Sequence, residues 1–463
     1  MLALAGCGGS DDPVSPAPNP VPAPLPAPTP APTPAPAPTP TPTPPVITTQ
    51  PGNVTVTVGQ TATFATVASG TGITYQWRRA GVDLAGANAA SYTTTATVIG
   101  DSGATFSVRL CTGPQVSNVC VDSASAALTV NPIVLNAAQL AGTPGTTGSS
   151  DGTGAAARFN TANYVTMNPA TGTIYIGDAG NSTLRAVTPA GVVSTLAGTV
   201  GVFGFADGTG GAARFNLPGG LALDAAGNVF VSDWDNFLIR RVTPAGVVTT
   251  LAGSPGAAGS TDGTGAAARL RNPNGLASDA AGNLYVADWG NHTIRRVTPA
   301  GVVTTLAGTP GFAGSADGTG PAARFTNPTG VAVDSAGNVF VADQGNQTIR
   351  RITPAGVVTT LAGQAGAAGS TDGTGSAARF RSPSALSISP TGDLFVISGA
   401  NGETVRKITA AGVVTTAVGV AGQATAVVLG ADPRLRNGRA VHAISSNRLL
   451  VTADHALLDI TVP

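Results

Sequence analysis

Hydrophobic and polar residues alternate in short runs over most of this chain. Between Val46 and Asn131 the runs are punctuated by Gly, as in Val54-Thr55-Val56-Thr57-Val58-Gly59 and Thr61-Ala62-Thr63-Phe64, the period-two pattern of half-buried strands. From residue 133 onward the runs recur at a fixed interval. Thr-Pro-Ala-Gly-Val-Val begins at Thr188, Thr243, Thr298 and Thr353, 55 residues apart, and Thr409-Ala410-Ala411-Gly412-Val413-Val414 continues it. Asp-Gly-Thr-Gly keeps step, beginning at Asp151, Asp207, Asp262, Asp317 and Asp372. Such a period is the mark of a repeat architecture. One unit reads as four strands: 330–334, 339–343, 348–352 and 357–361, separated by Gly- and Asn-containing turns. Four short strands make one propeller blade, and the 331 residues from 133 to 463 hold six at this interval. The last unit supplies three strands, at 440–444, 449–452 and 457–461, and stops. Leu135 to Gly142 aligns with the outer-strand phrase Val-Val-Thr-Thr-Leu-Ala-Gly, which predicts that 133–142 closes the ring by completing the last blade and pairing two open edges. The expected fold is all-β: a β-sandwich over 46–131, then a six-bladed propeller over 133–463.

The N-terminal segment reads differently. From Pro13 to Pro45 nearly every second residue is proline, a composition that builds no core and favours polyproline II. At about 3.1 Å per residue this linker reaches on the order of 100 Å. Before it, Leu4-Ala5-Gly6-Cys7 resembles the lipobox of bacterial lipoproteins, although only six residues precede the cysteine. The resemblance makes 1–12 a signal remnant and Cys7 a lipid anchor. Gly8 and Gly9 after the cysteine then imply the outer membrane. The expected location is the bacterial cell envelope, periplasmic or surface-facing, with membrane contact through the anchor alone, since no run of eighteen apolar residues occurs.

Two further resemblances follow. Thr74-Tyr75-Gln76-Trp77-Arg78-Arg79 is similar to strand C of bacterial immunoglobulin-like domains, and Asp101-Ser102-Gly103-Ala104-Thr105-Phe106 to their Asp-x-Gly-x-Tyr corner with Phe106 in place of tyrosine. The strand B region lacks a cysteine, so the inter-sheet bridge of that family is missing. Cys111 and Cys120 flank an expected hairpin turn and, in an exported protein, are expected to pair across it. In the C-terminal part, Asn-Val-Phe-Val-Ala-Asp-x-x-Asn-x-x-Ile-Arg-Arg and Asn-Pro-x-Gly-Val-Ala-Val-Asp resemble the NHL repeat, which implies the same six-bladed architecture. The Asp-x-x-Asn turns read as local hydrogen-bonding devices. Strand alternation sends one member of each pair Arg240-Arg241, Arg295-Arg296 and Arg350-Arg351 outward and the other between blades, where an Asp is its natural partner.

Composition narrows the chemistry. The chain has 23 Lys and Arg against 23 Asp and Glu, and 10% charged residues, so nucleic acid is not an expected partner. Glu403 and Lys407 are each the single residue of their type. Lactonase-like propellers need convergent carboxylates including a Glu, and lyase-like ones several axial His. Glu403 stands in a turn, while His292, His442 and His455 are scattered. No catalytic residue is therefore assigned. The Asp-Gly-Thr-Gly loops connect each outer strand to the next inner strand, and Asp151, Asp207, Asp262, Asp317 and Asp372 are expected as a crown on one face. Each is expected to pair with the Arg of its own loop (158, 214, 269, 324, 379). The alternative is a ligand or Ca²⁺ site, which needs several converging oxygens; no other cofactor is expected. The expectation is a monomeric, non-catalytic, lipid-anchored protein whose propeller binds a protein or glycan. The alternative is a metal-dependent hydrolase or lyase, which would begin at the positions that break the repeat: Asn163, Tyr164, His442 and His455.

Overall fold

The computed structural model describes residues 43–112, 119–132, 134–423, 426–430 and 433–463. Cys7, most of the proline-rich segment and residues 113–118, where the hairpin turn is expected, lie outside the described residues. The chain forms two compact units, one of residues 43–54, 63–94 and 103–128, the other of 129–463 together with 55–62 and 95–102.

In the first unit, strands Thr74–Arg79 and Thr105–Thr112 pair antiparallel, Trp77 opposite Val108. Alternation turns Trp77, Phe106, Val108 and Leu110 inward, where they are buried. Phe106 stacks on Phe64 with ring centroids 4.4 Å apart, and the Trp77 indole N–H donates to the Ala89 carbonyl at 2.9 Å. Cys111 and Cys120 stand opposite each other on Thr105–Thr112 and Val119–Asp122 and form a disulfide.

Among the described residues the propeller part of the second unit, from 134 onward, contains six antiparallel sheets. Their innermost strands, Ala162–Met167, Pro218–Leu223, Pro273–Ser278, Pro328–Val333, Leu386–Ile388 and Gly438–Ser445, each contact the next, and the last contacts the first. The ring is closed. In blades 1 to 5 the strands step outward in chain order; in blade 6 the outermost strand is Asn136–Gly142, paired with Ala456–Thr461. Phe159, Leu435, Leu449, Leu457 and Ile460 belong to the apolar cluster that joins the first and last blades, each such buried side chain contributing about 1.5–3 kcal/mol. Each outer strand ends at a glycine with positive φ: Gly142, Gly198, Gly253, Gly308, Gly363 and Gly419. At Gly308 a Cβ would stand 2.7 Å from the His292 carbonyl, so only glycine lets the chain leave the blade there.

The Asp-Gly-Thr-Gly connectors depart from the simple loop expectation. Gly152–Thr153 pairs with Val192 and Val193 as a fifth strand outside the fourth, and blades 2 to 5 repeat this. The connector therefore lies along the outer edge of the blade it enters, covering backbone that would otherwise be an open edge.

Candidate functional site

The repeated polar residues assemble into one device per blade. In blade 1 the Arg185 guanidinium is fully buried and clasped between two carboxylates, Asp178 at 2.8 Å and Asp151 at 2.6 Å. It also donates to the carbonyls of Arg158 and Ser150 and lies over the Phe159 ring, 5.3 Å from its centroid. Asp178 further accepts from the Asn160 backbone and the Asn181 amide. Burial pushes the carboxyls of Asp178, Asp233, Asp288 and Asp343 upward, against the pull of these donors. Arg240, Arg295 and Arg350 repeat the clasp, while their neighbours Arg241, Arg296 and Arg351 are exposed.

The expected pairing of each loop Asp with its own loop Arg is corrected. Asp151 binds Arg185 and Thr195, and Arg158 instead donates to the carbonyls of Ala155 and Ala157. The reason is desolvation: Arg185 has no water to turn to and draws the second carboxylate, whereas Arg158 satisfies itself on nearby carbonyls. Asp207, Asp262, Asp317 and Asp372 are held likewise by Arg240, Arg295, Arg350 and Arg406. Instead of gathering into a crown, each carboxylate is taken up by its own blade. Among the described residues no three His, Cys, Asp or Glu side chains are grouped as a metal site.

The histidines are accounted for similarly. His292 and His455 follow the turn of their blades in the left-handed conformation, and each Nδ1 accepts a backbone N–H of the next blade, from Asn327 at 3.1 Å and Thr161 at 3.2 Å. Gln347 does the same with its side-chain oxygen toward Ser382. Burial lowers the pKa of both imidazoles, which keeps the accepting nitrogen free of a proton. Glu403 is buried.

What remains is on the axis. A cavity of about 530 Å³ opens where the inner strands begin, within the size range of small-molecule sites. Its wall comes from two variable positions of the repeat. The first is the x of Asn-Pro-x-Gly, which is Asn163, Gly219, Asn274, Thr329, Ser384 and Arg439 in blades 1 to 6, all but Gly219 lining the cavity. The second follows the turn Asp and is Ala179, Trp234, Trp289 and Gln344 in blades 1 to 4. Trp234 and Trp289 are half-buried, with centroids 5.4 Å apart and planes inclined at 50°. Tyr164 stands where the other blades have Gly220, Gly275, Gly330, Ala385 and Ala440, and its hydroxyl donates across the axis to Asn274 Oδ1 at 2.7 Å. Burial drives its pKa far upward, so the phenol stays protonated. Tyr164 also lines a second axial cavity of about 510 Å³, with His442 and apolar side chains such as Leu276 and Ile388. Of the residues singled out in the sequence, Asn163 and Tyr164 reach the first cavity and His442 the second. The other lining residues were missed, although the changing x in an otherwise constant phrase was their signal.

Comparison with known proteins agrees with this architecture. The NHL repeat matches residues 270–296 and 325–352. Among curated proteins, NHL repeat-containing protein 2 of Bos taurus is 35% identical over 151 residues, 30% of this chain and 21% of that protein. Protein SUPPRESSOR OF QUENCHING 1, chloroplastic, of Arabidopsis thaliana is 41% identical over 95 residues, 20% of this chain and 9% of that protein. The chain thus matches about a fifth or less of these relatives' length. A solved structure from Bacteroides thetaiotaomicron, of a protein of unknown function, superposes with a TM-score of 0.60 at 16% identity, covering 91% of this chain and 98% of that one. An auxiliary nutrient binding protein from Bacteroides ovatus superposes with a TM-score of 0.55 at 14% identity, covering 90% and 98%. The chain carries NHL repeats, and its fold is that of a β-propeller.

Proposed function

We propose that this chain is a non-catalytic binding protein that takes its ligand in the axial cavity opened by Trp234 and Trp289. The observation that carries this reading is the distribution of variation among the blades. Positions that repeat nearly unchanged serve the clasps, turns and strand pairs, whereas the x of Asn-Pro-x-Gly and the residue after the turn Asp differ from blade to blade and line the axial cavity. The cavity wall contains amides, hydroxyls, aromatics and the Arg439 guanidinium but, among the described residues, no Asp, Glu, His, Cys or Lys. It therefore offers a ligand hydrogen bonds and apolar contact, and no side chain that exchanges protons near neutral pH. The metal-dependent alternative needs converging ligands that the described residues do not supply.

In this reading Cys7 carries the lipid, the proline-rich segment is a spacer, residues 46–131 are an immunoglobulin-like module, and 133–463 present the cavity from the bacterial envelope. That two proteins of similar fold are described as auxiliary nutrient binding proteins accords with a binding role. The test is a thermal-shift screen of small molecules, peptides and oligosaccharides on the wild type and on Thr329→Trp, which fills the cavity. Ligands should raise the melting temperature of the first alone, and mass spectrometry should recover them unchanged. Equal stabilisation of the filled variant, or conversion of the ligand, argues against the reading. Metabolic labelling with an alkyne fatty acid tests the anchor: wild type should take up label in the membrane fraction and Cys7→Ser should lose it.

A further inference from the structure

We infer that the axial cavity is built for an acidic saccharide, a sugar ring carrying a carboxylate. This rests on the reading of the cavity as the binding site and gives that site its ligand class. Three features of the wall point the same way. First, Trp234 and Trp289 come from neighbouring blades and present an aromatic corner to the cavity. A pyranose ring has an apolar C–H face that packs on an indole, while its hydroxyls project sideways. Second, the polar side chains that line the same cavity include Asn163, Asn274, Gln344 and Ser384. Amides and hydroxyls both donate and accept, which is what sugar hydroxyls require, whereas a peptide backbone asks for strand-like rows of N–H and C=O.

Third, Arg439 is the one charged side chain of the wall among the described residues. It stands on blade 6 where the other blades have Asn, Gly, Asn, Thr and Ser. It is exposed, and among the described residues no hydrogen bond or ion pair engages it, unlike Arg436 nearby, which is bound to Asp454. Burial chiefly, and with it the nearby charges of Arg439 and Arg436, lowers the pKa of His455. A guanidinium with its fork unoccupied at the mouth of an otherwise neutral cavity suits a carboxylate, which it can bind in a bidentate pair. The whole chain is electrically neutral, so this positive spot is a property of the cavity.

The experiment uses the full chain and three kinds of probe: oligosaccharides containing glucuronate or galacturonate, their neutral counterparts, and an acidic peptide. The chain has three tryptophans, and Trp77 is fully buried in the other unit. Quenching of tryptophan fluorescence by a soluble probe therefore reports on Trp234 and Trp289, with calorimetry giving affinities. A uronate oligosaccharide should bind about tenfold more tightly than its neutral counterpart, the worth of one charge-assisted pair. Arg439→Gln should bring the two within about twofold, and Trp289→Ala should weaken both by about tenfold or more with the melting temperature unchanged. Neutral sugar binding as well as uronate, or the peptide matching the uronate, overturns the inference. If no saccharide binds but another ligand is excluded by Thr329→Trp, the saccharide falls and the binding site stands. If no ligand is sensitive to Thr329→Trp, both fall.

Discussion

Burial beside the second axial cavity pushes the His442 imidazole down to about 4 from its usual 6.5. The unfolded chain takes up this proton below 6.5 and the folded chain does so only near 4. The stability this neutral histidine contributes is therefore complete above 6.5 and lost as the pH falls toward 4. The side chain is partly accessible, which limits the effect to on the order of 1–3 kcal/mol. Asp233 and Asp343 act in the opposite sense. Burial holds them near 6 against an ordinary 3.8, so the folded chain is the first to bind their protons as the pH drops. The measurement must isolate the histidine, and a comparison with His442→Leu does so. Between pH 7 and 4 the wild type should lose more melting temperature than the variant, and parallel curves would show that His442 titrates alike in both states. Its role was not readable from sequence. Only the ring of inner strands brings blade 6 to blade 1, and a lone histidine in a degenerate repeat gives no sign of what it faces. The partners of His292 and His455 were hidden for the same reason, since the backbone N–H groups that they accept belong to the next blade.

At the scale of the element, the clasp fastens each connector to the blade edge. Blades 4 and 5 form a natural comparison. In blade 4, Arg350 lies between buried Asp343 and half-exposed Asp317. In blade 5, Ser398 takes the place of the inner Asp, leaving Arg406 with Asp372 as its carboxylate partner. Arg350→Met leaves a fully buried carboxylate without its counter-charge and should cost about 3–5 kcal/mol. Arg406→Met leaves only a carboxylate that water can reach, and should cost about 1–2 kcal/mol less than Arg350→Met. Urea denaturation followed by far-ultraviolet circular dichroism orders the two, and equal midpoints would refute the partition. The blades themselves were legible, because 55-residue phrases and period-two runs survive any local substitution. That one Arg of each pair turns inward followed from the same alternation, and the structure shows it to be Arg240, Arg295 and Arg350. The fifth strand was hidden, since Gly152-Thr153 carries no apolar residue and reads as a turn. The partner of Asp151 was misassigned because Arg158 is near in sequence, while Arg185 becomes near only when the connector is laid on the blade.

At the scale of the whole molecule, the ring depends on one seam. Blade 6 owns three consecutive strands and borrows its fourth from Asn136–Gly142, so the two ends of the propeller are tied through the pairing of that strand with Ala456–Thr461. The register places Ala137 opposite Ile460, and Ala137, Ala141, Ile460 and Leu457 are all buried in the cluster that spans the seam. A chain beginning at Thr143 loses these contacts and opens the edge at 456–461, whereas one beginning at Thr129 keeps them. The shorter chain should melt lower by on the order of ten degrees, the yield of a few kcal/mol in a protein of this size. Blades on either side of the seam should feel the loss first, because repeats contact chiefly their neighbours. Hydrogen exchange should show amides of 438–461 and 162–187 losing protection while those of 273–307 and 328–361 keep theirs. A synthetic peptide of residues 132–143, added in excess, should restore part of the lost melting temperature by re-forming the missing strand. If instead the two chains melt together and exchange alike, the ring is held by its inner strands and the seam is dispensable.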